Sequence, residues 1–319
     1  MINLLAIGIG AGLVSALLFG VVVTGSPLAM MLSFIAPLPT FIAALGWNHR
    51  AGLVAALAGG IAMALALNPT AGAAFALGWA LPAWWLAYLA LLGRPAADGT
   101  IEWYPLGRLV TWIAGTAALI TLIGVVALGD GSYETYRSNL NATFESFMHA
   151  QTPSQPSEAE AQAGEIASVV INALPFFFAV NFLLVLTLNL WLAAKAVRIS
   201  ERLPRPWPYI PDTTMPRFAV GLLLAASLAS FLPGFPGAFG MALAGALLGA
   251  FALQGLAFIH ATSTQRPGRA FLLGGIYVFA ILVSSVVIPL LALLGLADAA
   301  FPLRHRFGAV SGRPKPPST

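Results

Sequence analysis

Eleven carboxylates and four histidines are the residues of this 319-residue chain best suited to chemistry, and their placement excludes most of it. Ion and proton relays inside membranes are usually built on buried acids. Here Asp130 and Asp298 fall at the ends of apolar runs, and Glu102 falls in the polar stretch Asp98-Gly99-Thr100-Ile101-Glu102-Trp103-Tyr104. The histidines, at 49, 149, 260 and 305, are scattered, and none pairs at i+4 with another metal ligand. No phosphate-cradling glycine loop of the NTPase type occurs, and the lack of cysteine removes thiol catalysis, thiolate metal sites and disulfides together. The chain reads as non-enzymatic, with no cofactor or metal and no ATP hydrolysis of its own. The enzymatic alternative is head-group chemistry, with phosphate held by His49-Arg50 and by His260 with Arg266, but it lacks a nucleophile.

What remains is binding. Neutral polar residues interrupt otherwise apolar stretches: Asn172, Asn181 and Asn189 in one, Gln254 and His260 in another. Amides inside a membrane bond other helices, water or a ligand. Trp79, Trp84, Trp85 and Tyr88 form the densest aromatic group, with Pro82 among them. Trp84 and Tyr88 stand at i,i+4 and form either ordinary packing or a wall for a ring-bearing or lipid-like ligand. The candidate ligand-binding residues are therefore Trp79, Trp84, Trp85, Tyr88, Asn172, Asn181, Gln254 and His260. Pro37-Leu38-Pro39 and Ala80-Leu81-Pro82 interrupt two of the stretches, as in the broken helices that line transporter pockets.

These residues must be positioned by membrane helices. The composition is 59% hydrophobic and 8% charged, outside the range of soluble domains. A helix needs about 20 apolar residues to cross the bilayer core. Nine segments qualify, near 4–24, 28–45, 51–67, 71–92, 107–128, 167–193, 216–233, 238–261 and 270–296. The alternative is eight spans plus a re-entrant segment. The expected class is all-α, a polytopic bundle: a six-helix core over 1–197, a basic Pro-rich loop over 198–215, three further spans over 216–298 and a basic disordered tail over 299–319. The first segment has no basic n-region and reads as a retained span rather than a cleaved signal.

Charge orients the bundle. Lys195, Arg198, Arg202, Arg205 and Arg217 crowd one loop, whereas 129–166 holds six carboxylates and one basic residue, Arg137. The positive-inside rule places loop 195–217 in the cytoplasm and loop 129–166 on the periplasmic side. A nine-span count then puts Arg304, Arg306, Arg313 and Lys315 outside, against that rule. Within the outer loop, Tyr133, Tyr136, Leu140, Phe144, Phe147 and Met148 share one face of an amphipathic helix over 133–150, lying on the membrane or capping the bundle. After the breaker Gln151–Pro156, Ser157 and Glu160 fit a capping box opening a helix that runs on towards Val197, kinked at Pro175.

Small residues recur at helix-packing spacing: Gly8 and Gly12; Gly52, Ala56 and Gly60; Gly245 and Gly249. Most such pairs pack internally. Gly8 and Gly12, together with Arg202, Arg205 and Trp207 of the Pro-rich loop, are candidates for docking a partner; the loop residues read equally as an interfacial anchor.

Several stretches resemble the YybS-like membrane proteins, domain of unknown function 2232: Pro37-Leu38-Pro39 leading to Gly46-Trp47; Trp79 with Leu81-Pro82; Gln254-Gly255-Leu256-Ala257 with Ile259-His260; and Gly295-Leu296-Ala297-Asp298 before Arg304-His305-Arg306. The resemblance spans nearly the whole chain. It implies a bacterial inner-membrane location and a fold related to the S components of energy-coupling-factor transporters, six-helix bundles that capture a small molecule and dock on an ATP-driven module. The functional expectation is a transport-related protein that binds a small or amphipathic molecule and needs an energising partner. The alternative is an envelope assembly protein with no small-molecule site. The lipid bilayer is the expected surrounding, and nucleic acid is not an expected partner.

Overall fold

The computed structural model describes residues 2–151, 157–264, 266–301 and 303–306. Among the described residues, seven stretches are long and apolar enough to cross a membrane: Asn3–Thr24, Pro27–Gly46, His49–Ala66, Pro69–Ala90, Leu106–Leu128, Ser168–Ile199 and Gly234–Thr262. They correspond to expected spans one to six and eight. Helix α1 (Ile2–Gly20) forms most of the first. α2 (Pro27–Ser33) and α3 (Pro37–Gly46) make the second, and α4 (His49–Ala66) the third. α5 (Pro69–Phe75), a π-helical turn at Ala76–Ala80 and α6 (Leu81–Ala90) make the fourth. Pro37 and Pro82 sit in first turns, where a missing N–H removes no helix bond, so both prolines mark helix junctions. A short hairpin, β1 (Gly93–Pro95) with β2 (Ile101–Trp103), leads into α7 (Leu106–Leu128).

α8 (Tyr133–Gln151) is the expected amphipathic helix. Its first turns dock on the bundle: Tyr136 is buried with Val125 and Ala238, and the Tyr133 and Phe235 rings stand 5.7 Å apart. Burial, with Tyr133 beside it, pushes the Tyr136 phenol up to about 12. Phe147 stays exposed. The breaker residues 152–156 lie outside the described residues. α9 (Ser157–Ile199) is continuous for 43 residues through Pro175. At 1.5 Å per residue it is roughly 65 Å long, about twice the bilayer core.

Two expected spans are corrected. Segment 216–233 is only α10 (Phe218–Ala229), because Pro233 and Gly234, the latter at φ +73°, turn the chain into α11 (Gly234–Thr262). Segment 270–296 is two helices, α12 (Arg269–Leu282) and α13 (Ser284–Ala300), broken at Val283 with φ −131° and ψ 50°. Val283-Ser284-Ser285-Val286-Val287-Ile288 gathers residues of weak helix preference just ahead of Pro289.

The end of the bundle that carries loop 200–217 is the loop end. α3, α6, α9 and α11 finish there: Gly46 faces Val197, Arg205 bonds the Ala90 carbonyl, and Gln254 bonds the Met215 amide. α13 finishes there too, since Arg304 just beyond it reaches the Pro211 and Thr213 carbonyls. α12 starts where α11 ends, so the α12–α13 pair leaves and returns at one end. This corrects the nine-span expectation that Arg304 would lie opposite the basic loop; the tail beyond 306 lies outside the described residues. The larger apolar cluster extends from Phe41 to Ala292, joining the second, fourth, fifth and sixth spans to α10, α11 and α13.

Candidate functional site

The loop after α9 carries the site. Its prolines, 204, 206, 208 and 211, forbid a regular helix, so Arg202–Pro208 crosses the ends of α3, α6, α7 and α9 as irregular chain with a bend at Arg205. Leu203 and Arg205 face one pocket, and Arg202 and Pro204 face another. Leu45 and Leu91 wall both.

The first pocket is an apolar slot of about 180 Å³ between α7 and α9, floored by Leu109, Ile113 and Leu190 and roofed by Trp207, Pro208 and Ile210. The Thr187 hydroxyl lines it, buried and without a hydrogen-bond partner. Cations stand against two of its lining tryptophans. The Lys195 ammonium stands 5.2 Å from the Trp191 ring and the Arg198 guanidinium 4.9 Å from the Trp207 ring. Arg205 is turned inward, donating to the Ala90 carbonyl at 2.9 Å, and burial lowers its pKa.

The second pocket is a more polar cleft of about 420 Å³ at the end of α3 and the start of α4. Trp47, Asn48, His49, Tyr88 and Arg202 line it. Arg202 lies 4.7 Å over the Trp47 ring, and the His49 and Tyr88 rings meet edge-on at 5.2 Å. His49 Nδ1 is buried without a hydrogen-bond partner. Beside it the hairpin is pinned by an exposed Arg94–Glu102 ion pair at 2.7 Å. Thr100 donates twice to Asp98, which holds that carboxyl below its usual range.

A latch fastens the roof. Arg304 donates to both oxygens of Asp298, at 3.1 and 3.0 Å, and also to the carbonyls of Pro211 and Thr213. Gln254 bridges, accepting from the Met215 amide and donating to Asp298, each at 2.8 Å. The Asp298 side chain is 1% exposed and that of Arg304 16%. Asp298, read as lying at a span end, is thus a buried acid, and its charge is matched. An unpaired charge there would cost several kcal/mol.

The expected binding residues scatter. Trp79 is core, between Phe19 and Phe182. Trp84 packs on Gly52 with its indole N–H buried and without a hydrogen-bond partner. Trp85 joins Trp112 and Tyr88, and of the aromatic four only Tyr88 lines the cleft. Asn172 and Asn181 are corrected: both are exposed on α9, because a helix that long and only partly covered has faces where an amide meets no neighbour. Asn189 is the buried amide, tying α9 to the Phe34 carbonyl at 2.8 Å. Gln254 belongs to the latch, and His260 bonds the Tyr277 hydroxyl at 3.0 Å, away from both pockets.

Of the docking candidates, Gly8 and Gly12 are corrected: they are covered by α4 of their own chain, where an added Cβ would strike backbone of Ala51 and Ala55. Arg202, Arg205 and Trp207 each touch neighbours within the chain, and Arg202 is exposed. Sequence reasoning missed Thr187, Trp191 with Lys195, and the Asp298–Arg304 pair. The i,i+4 spacing of Trp191 and Lys195 was the available signal.

A family described as a predicted membrane protein, DUF2232, matches residues 13–299. The chain belongs to the DUF2232 family. No curated protein matches the DUF2232 chain, and no solved structure does, S components included.

Proposed function

We propose that this DUF2232 protein is a transport-related protein of the bacterial inner membrane that holds an amphipathic molecule in the slot beneath loop 203–213. The observation that carries the reading is the slot itself, apolar inside, with Arg205 in its lining and Lys195 and Arg198 against its tryptophans. Cations beside tryptophans suit the headgroup level of a membrane, where each basic residue contributes about 1 kcal/mol towards anionic lipid. The basic loop faces the cytoplasm and 129–166 the periplasm. The chain crosses eight times, with α12–α13 as a re-entrant pair, which returns Arg304 to the basic side. An energising partner is required, because no ATPase motif is present in the sequence.

Native mass spectrometry of protein extracted gently from its own membrane tests this. A discrete lipid or small-molecule adduct that disappears when Ala194→Trp fills the slot is the expected result. Bare protein, or protein carrying only a stoichiometric protein partner, would replace this reading with the assembly role.

A further inference from the structure

The slot and the cleft lie on either side of a single stretch of chain, Arg202–Arg205. Arg202 and Pro204 face the cleft, Leu203 and Arg205 the slot, and Leu45 and Leu91 continue from one into the other. We propose that they are the tail and head halves of one site, for an amphiphile bearing a single apolar chain and a phosphate-type anionic head. This rests on the slot reading above and adds the class of ligand.

The argument begins with what the slot can and cannot do. A chain entering it leaves lipid rather than water, and lipid tails are as apolar as leucine. The slot therefore accommodates a chain without holding it, and both affinity and selectivity must come from the head. The cleft supplies what a head needs. Arg202 is positioned on Trp47, and His49 lines the cleft with the Tyr88 ring against it. Among the described residues, no Asp or Glu lines either pocket, and Arg205 adds positive charge from the slot side. Glu201 precedes Arg202 in the chain but lines neither. Guanidinium pairs with phosphate oxygens through two parallel bonds, a geometry that an alcohol head cannot match.

The test compares dodecyl phosphate, dodecanol and inorganic phosphate as added ligands, read as adducts by native mass spectrometry of full-length protein in a neutral detergent. Dodecyl phosphate is expected to be retained at least tenfold better than dodecanol, and inorganic phosphate not to be retained. Arg202→Gln should abolish the preference, and Arg202→Lys should keep part of it. Ala194→Trp and Val110→Trp, from opposite walls of the slot, should remove both dodecyl ligands; unchanged melting temperatures show which variants remain folded. Equal retention of dodecyl phosphate and dodecanol would overturn the head assignment and leave the slot reading standing. Retention of inorganic phosphate equal to that of dodecyl phosphate would separate the two pockets into a free-anion site and an unrelated cavity. Dodecyl adducts indifferent to both tryptophan variants would overturn the slot reading as well.

Discussion

Two helix pairs in this protein are drawn together by glycine, and they end differently. α1 lies along α4 with Gly8 and Gly12 against Ala51, Val54, Ala55 and Gly59. α11 lies along α13 with Gly255 and Gly295 facing each other's backbone. Near the first pair the polar bonding is uncharged: Ser15 donates to the Ala36 carbonyl at 2.7 Å and meets Thr40 at 3.0 Å. The second ends in the Gln254–Asp298–Arg304 latch. Glycine gives close approach in lipid, where no hydrophobic force favours one neighbour over another. The charged network adds what packing cannot, a fixed place for a loop with little regular structure of its own.

The largest expected effect breaks the latch. Asp298→Ala leaves Arg304 without its counter-charge and should lower stability by about 3 kcal/mol, read from thermal unfolding in detergent. Asp298→Leu with Arg304→Met should recover most of that loss. An unaltered single mutant would mean that the network is not formed. Next, Gly12→Ala and Gly295→Ala should each cost about 1–3 kcal/mol, since an added Cβ meets backbone in both. The two separate by proteolysis. Gly295→Ala should speed trypsin cleavage after Arg202, and Gly12→Ala should not.

Gln254→Leu, which unties the Met215 amide, should cost about 1–2 kcal/mol and loosen the loop in hydrogen exchange. The opposite end responds to pH instead. The Tyr136 phenol is raised from 10.0 to about 12 in the folded protein, so its contribution to α8 docking is complete below pH 10 and lost as pH rises towards 12. Tyr136→Phe should flatten that part of the pH–stability curve. Smallest of all, Asn181→Ala should change stability by less than about 0.5 kcal/mol, as an exposed residue does.

The spans were legible in the sequence because length and apolarity alone define them. The α12–α13 break was not, since no glycine marks it and Val283 takes a non-helical conformation in the middle of an apolar run. The asparagines misled for a related reason: an amide in an apolar stretch is informative only when the helix face is known, and Asn189 is buried where Asn172 and Asn181 are not. The aromatic cluster pointed to the right helix, α6, but only Tyr88 reaches a pocket. Slot and cleft draw walls from five helices and a loop, so no local pattern announces them.

The latch also sets an order of events. Pro211 and the arginine that grips its carbonyl are 93 positions apart. A ribosome adding 5–20 residues per second needs roughly 5 to 20 seconds to cover that distance. During that interval the roof has been made, but its Arg304 clamp is missing. The pocket is therefore finished late in biosynthesis, after α10 to α13 have emerged, and a chain cut short before Arg304 would carry every wall of the slot and lack the clamp on its cover.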